Sequence, residues 1–131
     1  MISLWQQCGL TRPWNDPYLD IQRKLQVQPD LFIVAEVNKI LCGCGMGGYD
    51  GHRGWVYYLG VLPEFRGRGF ARQLREEFER RLRAVGCPKI QLMVRNDNQE
   101  VFNFYTHLGY IDSNCVTLGK RLIPDNPGFN Q

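Results

Sequence analysis

Apolar and polar positions along the chain change period several times, and each change marks an element. Ile2, Leu4, Trp5 and Cys8 share one side of a short helix over residues 2–9. A loop over residues 11–17 follows, with prolines at Pro13 and Pro17. Asp16 or Asp20 can cap a second helix over residues 19–27, which carries Leu19, Ile21 and Leu25 and stops at Pro29 and Asp30. The run "LFIVAEV" (31–37) is β-branched and apolar, as a buried strand is. Asn38-Lys39 then makes a tight turn into a glycine-rich return strand over 40–48, so the two form a hairpin. A second turn over 49–54 leads to the strand "WVYYLGV" (55–61).

The period then becomes helical. Phe70, Leu74, Phe78, Leu82 and Val85 recur at steps of three and four, giving one apolar stripe that ends at Gly86. Glu76→Arg80, Glu77→Arg81 and Glu79→Arg83 are i,i+4 pairs in the favourable order. "KIQLMV" (89–94) alternates as a half-buried strand. Strand, helix, strand reads as a parallel crossover. Asp97 caps one more helix, with Glu100 completing a capping box; it carries Val101, Phe102, Tyr105 and Leu108 and ends at Gly109. Residues 110–111 and 116–122 read as a final pair of strands. The fold class is therefore α+β: a mixed, mostly antiparallel central sheet flanked by helices.

Bulk properties narrow the function more than the fold. The 131 residues suit one domain spanning 1–131, with about 124–131 as a loose tail. A net charge of +3 is too mild to draw nucleic acid to the whole surface. The arginines between Arg66 and Arg83 alternate with glutamates, as on a solvated face rather than a phosphate track. No apolar run approaches ~18 residues, so no membrane partner is expected. The five cysteines show no zinc spacing, so no metal is expected, and they read as mostly buried, reduced thiols of a cytoplasmic protein.

Two glycine patterns could carry chemistry. "GCGMGG" (43–48) fits a dinucleotide fingerprint letter for letter, but no helix can open on the residues after it. Its glycines fit better as sites of close backbone approach. "GVLPEFRGRGFARQLREEF" (60–78) has the right context: a strand, a glycine-rich turn, then a helix start. Amides at a helix N-terminus point outward and carry the positive end of its dipole. Gly67 and Gly69 let backbone wrap an anion, and Arg66 and Arg68 add forked donors. Such a turn suits a pyrophosphate. No Gly-Lys-Ser/Thr follows, so it is not a Walker loop.

At this point "VLPEFRGRGFA" (61–71) resembles the acetyl-CoA signature of the GNAT N-acetyltransferases, with Arg66, Gly69 and Ala71 at its defined positions. "VRNDNQEVFNFYTHLGY" (94–110) resembles the family's second motif. "RPWNDP", "LFIVAEV", "MGGYDGHRG" and "LGKRLI" are similar to the bacterial YpeA-like subgroup. Members usually begin with a strand before the first helix. By that comparison the first strand is missing here, which leaves a sheet edge unpaired and oligomeric state open, a homodimer included.

The resemblance implies a ternary complex and direct transfer from acetyl-CoA to an amine. Amides of Gly67, Arg68, Gly69, Phe70, Ala71 and Arg72, with the Arg66 side chain, would hold the pyrophosphate. The pantetheine arm would pair like a strand with Leu59, Gly60 and Val61, where a bulge near Gly60 frees an amide for the acetyl carbonyl. Asn98 would bind the cofactor arm. Tyr105, two turns from Asn98 on the same helix face, is the candidate general acid for the leaving thiolate.

The general base stays open. Met93 stands where some relatives have a glutamate, and Trp55 and Tyr57 where others place a group on the third strand. Glu36, Asp50, His52, Asp16 or a water chain are the alternatives. For the acceptor, Trp14, Tyr49 and Tyr57 offer aromatic walls, while Asp16 and Asp50 could hold an ammonium. The acceptor would be a small-molecule amine, or the N-terminus or a lysine of a protein. The rival reading is an acyl-CoA-binding sensor or regulatory module without turnover.

Overall fold

The computed structural model describes residues 1–126. Four strands form one sheet in the order β1-β2-β3-β4: β1 (Phe32–Val37), β2 (Ile40–Tyr49), β3 (Gly54–Val61) and β4 (Ile90–Leu92). The first three are antiparallel and β4 is parallel to β3. Helices α1 (Ile2–Gln7) and α2 (Pro17–Leu25) precede the sheet. Helix α3 (Phe70–Ala84) makes the crossover from β3 to β4, and α4 (Gln99–His107) follows β4. The β1–β2 hairpin turns on Asn38 and Lys39 at φ of 50° and 67°, the doubly left-handed turn that suits the twist of a hairpin. Asp16 is the cap of α2; its carboxylate accepts from the amides of Tyr18 and Leu19.

Two cores lie on opposite faces of the sheet. Leu4 and Trp5 of α1 pack with Cys44 and Met46 on one face. Leu74 and Phe78 of α3 pack with Ile33, Val56 and Val61 on the other. This explains the glycine run in β2. Cys44 and Met46 face α1, while Gly43, Gly45 and Gly47 face α3, where an added Cβ would meet Leu74 or Phe78. A Cβ at Gly45 would lie 2.6 Å from Phe78 Cε2, and one at Gly47 would lie 2.8 Å from Phe78 Cε1. The glycines let a fully buried phenylalanine ring lie flat on the strand. Their close-approach partner is therefore α3.

Several expectations are corrected. No strand forms at 110–111 or 116–122. All of residues 111–120 are exposed, including Ile111, Val116 and Leu118, because no neighbour among the described residues offers them an edge or a face. β4 holds three residues of the expected six. The cap of α4 is Asn98, not Asp97; its side chain accepts from the Val101 amide at 3.3 Å. Val85 leaves the apolar stripe, 60% exposed at the end of α3. Of the expected i,i+4 pairs, Glu77–Arg81 forms at 2.8 Å, whereas Glu76 pairs with Arg72 at 3.0 Å and Glu79 with Arg75. Cys115 is exposed rather than buried. Asp125 and Asn126, in the stretch expected to be loose, tie back to the loop before α2. Asp125 bonds the Asp16 amide at 3.0 Å and Arg23 at 2.8 Å, and Asn126 Nδ2 donates to the Pro13 carbonyl. The rest of that tail, 127–131, lies outside the described residues.

Candidate functional site

β4 pairs with β3 only at Gly54, Trp55 and Val56. From Tyr57 to Val61, β3 has no strand partner on that side among the described residues. A bulge sits in the same stretch. Cys44 faces Gly60 while Met46 faces Tyr57, so Tyr58 and Leu59 together oppose Gly45. The extra residue moves the α3-facing set from Gly54 and Val56 to Leu59 and Val61. The bulge expected near Gly60 thus centres on Tyr58 and Leu59.

Tyr58 takes φ +51°, unusual for a bulky side chain, and it is pinned there. Its ring stacks on Trp5, centroids 3.9 Å apart and 3° from parallel. Its hydroxyl donates to Asp20 Oδ2 at 2.7 Å. So α1 and α2 each hold one end of the side chain at the bulge. Sequence reasoning missed both roles: Tyr58 is one aromatic in an apolar run, and Asp20 read only as an alternative cap. Gly60 is needed for closeness, since a Cβ there would lie 2.9 Å from Leu10 Cδ1.

β3 ends where the glycine turn begins. Arg66 Nε donates to the Val61 carbonyl at 3.1 Å, which ties the turn to the end of β3. Gly67 and Gly69 adopt φ of +78° and +84°, and no atom would contact an added Cβ at either. Glycine is required there by conformation, and the surface around it is open. The first bond of α3 is donated by Gln73 to the Gly69 carbonyl at 3.0 Å. The amides of Phe70, Ala71 and Arg72 precede that bond and face out of the helix start. The Arg68 guanidinium lies 5.2 Å from the Phe65 ring centre, and Phe65 meets Phe70 edge-on. These residues suit a pyrophosphate: glycines at positive φ, open amides, and arginines with few competing partners.

Tyr105 is 7% exposed, between the rings of Phe104 and Tyr110. Burial pushes its hydroxyl up to about 12, with Arg75 pulling the other way. Burial raises Tyr58 and Tyr110 too, reinforced by hydrogen bonds to Asp20 and Glu79, and raises Cys44 to about 11. All four are neutral acids whose folded pKa exceeds the unfolded one. The stability they confer is complete below their unfolded values of roughly 8.5 for the thiol and 10 for the phenols. It is lost as pH climbs through the folded values. Urea midpoints are expected to be flat from pH 7 to 8.5 and to fall between pH 9.5 and 11.5. A flat profile to pH 11.5 would show that these groups ionise without unfolding.

The acceptor-side candidates are scattered. Asp16 spends one oxygen on the α2 cap, and the Trp14 carbonyl accepts from Arg121 at 2.9 Å. Asp50 holds the β2–β3 turn: its Oδ1 accepts from the amides of His52 and Arg53, both at 2.7 Å, which keeps its pKa below the usual range. Gln28, beyond the far end of α2, bonds Tyr49 through both its amide and its carbonyl group. Tyr57 is 42% exposed where β4 leaves β3. Met93 is exposed just past β4, and His52 and Glu36 are exposed on the turn and on β1.

Comparisons with known proteins agree with this geometry. The profile of the acetyltransferase (GNAT) family matches residues 1–110. An acetyltransferase of Pectobacterium atrosepticum is 60% identical over 125 residues, covering 95% of this chain and 89% of that protein. An uncharacterized N-acetyltransferase of Yersinia pestis is 56% identical, with the same coverage. Among solved structures, Ard1 from Thermoplasma volcanium superposes with TM-score 0.70 at 26% identity, covering 84% of this chain and 75% of that one. AAC(6′)-Iy, solved with a CoA bisubstrate analogue, superposes with TM-score 0.72 at 20% identity, covering 93% and 92%, a likeness of fold.

Proposed function

The chain belongs to the GNAT family of acetyltransferases, and from that premise we propose that it carries the acetyl group of acetyl-CoA directly to a primary amine in a ternary complex, with residues 1–131 acting as one domain. The observation that carries the proposal is that β3 loses its β4 partner after Val56 and runs on, unpaired on that side, to the glycine turn at the start of α3. Amides of residues 67–72 and the Arg66 side chain hold the pyrophosphate. The pantetheine arm lies along Leu59, Gly60 and Val61, and the bulge at Tyr58 and Leu59 turns an amide toward the acetyl carbonyl, where it stabilises the developing oxyanion. Asn98 contacts the arm from the start of α4 in addition to its capping bond. Tyr105 donates the proton to the departing sulfur; with its pKa at about 12 it stays protonated at neutral pH. Tyr57 and the loop around Trp14 and Asp16 form the acceptor side. Tyr49 and Asp50 lie at the far end of β3 and line its outer mouth.

Coenzyme A in the fold relative's complex and the acetyltransferase names of the sequence relatives favour transfer over mere sensing. Initial rates with acetyl-CoA and a panel of primary amines, read as thiol release and as acetylated product by mass, test the proposal. Intersecting double-reciprocal lines are expected. Parallel lines, or a stable acetyl-protein adduct, would replace direct transfer by a covalent intermediate.

A further inference from the structure

Arg75 lies one turn beyond the anion site, on the side of α3 that faces α4. Its side chain is only 13% exposed. One terminal nitrogen pairs with Glu79 and the other lies 3.5 Å from Glu76, while the buried Nε has no partner among the described residues. An orphaned buried donor carries a desolvation cost that an apolar residue at this position would avoid. The charge is therefore held here at a cost, and its surroundings give it a use.

Glu79 also accepts the Tyr110 hydroxyl at 3.0 Å. The Tyr110 amide donates to the Tyr105 carbonyl at 3.1 Å, past Gly109 at φ +92°. That turn lays the Tyr110 ring edge-on to Tyr105, centroids 5.2 Å apart. Arg75, Glu79 and Tyr110 thus form a bonded chain that ends on the buried Tyr105 ring. The titratable groups that act on Tyr105 are Arg75 from α3 and Tyr110 from the turn after α4, with Glu79 reaching it through both of them. The Arg75 charge opposes the upward pull of burial on the Tyr105 hydroxyl.

We propose that Arg75, braced by Glu79, is a positioning residue that holds positive charge beside the Tyr105 hydroxyl and stabilises the phenolate formed when Tyr105 protonates the leaving sulfur. This rests on the assignment of Tyr105 as general acid. In the step, the amine nitrogen bonds to the acetyl carbon, the carbon–sulfur bond breaks and sulfur leaves with its electron pair. Sulfur takes the phenol proton, and the phenolate regains one from solvent, which has received the proton of the amine.

The test separates the electrostatic link from the acid role. With Tyr105 replaced by 3,5-difluorotyrosine, the ring fluorines bring the phenol pKa well below that of Tyr105, toward the range where the fold is intact, and fluorine NMR reads it. Arg75→Gln is expected to raise that pKa by about half a unit or more, and Arg75→Lys to leave it nearly unchanged. Glu79→Gln, which removes the neutralising partner, is expected to lower it. No shift in either glutamine variant would overturn the proposal, even if one of them folds poorly. In thiol release from acetyl-CoA to n-butylamine, Arg75→Gln should lower kcat several-fold at unchanged KM, and add nothing to Tyr105→Phe. An equal further loss on the Tyr105→Phe background would make Arg75 merely structural. Full turnover by Tyr105→Phe would remove the acid assignment while leaving the fluorine result standing.

Discussion

Replacing Gly69 by glutamate is expected to weaken coenzyme A binding by about 100-fold or more, roughly 2.7 kcal/mol, while circular dichroism stays native. Two effects add. Gly69 holds φ +84°, where a side chain costs about 1–2 kcal/mol, so the substitution relaxes the turn that aims the amides. It also puts a carboxylate where an anion must sit, against amides and arginines arranged for the opposite charge. Clash plays no part, because an added Cβ would touch nothing. Gly69→Ala separates the two effects: conformational strain alone should cost only a few-fold in affinity. Calorimetric titration of both variants checks this. Native affinity in Gly69→Glu would move the pyrophosphate site away from the start of α3.

Gly45→Ala should cost about 2–3 kcal/mol of stability, lowering Tm by roughly 10 °C. Its Cβ would lie 2.6 Å from Phe78 Cε2, and the ring, fully buried between α3 and the sheet, has no free direction in which to move. Either α3 lifts from β2 or the ring leaves its rotamer. Phe78→Leu removes the colliding ring atoms at the cost of a cavity. In the double variant, each change relieves the other, so the combined loss should fall short of the sum by about 1 kcal/mol. Additive losses in denaturant melts would show that the glycine serves something other than seating this helix.

How far these features were legible follows from how local their causes are. The long helix and the hairpin came from short-range periodicity and turn chemistry, and both stand as expected. The glycine turn before α3 was legible because glycines at positive φ before a helix are a local signal. The β2 glycines were read as close-approach sites, but their partner, Phe78, lies more than thirty residues away and cannot be found from spacing. Tyr58 escaped notice for the same reason: its strain is imposed by Trp5 and Asp20, which reach it from two other helices. Arg75 escaped because i,i+4 counting favoured Glu-before-Arg pairs, whereas packing against α4 selected the reverse order. The strand pattern over 116–122 was real as a pattern, but a strand exists only where an edge receives it.

The central claim is that coenzyme A lies along β3 where β4 leaves it, with its pyrophosphate on the start of α3. Amide hydrogen exchange with and without saturating acetyl-CoA tests it most directly. Protection is expected at Leu59 and Val61 and across residues 67–72, with little change in β1 or in the β2–β3 turn. Saturable binding that protects other segments, while these amides exchange as before, would contradict it.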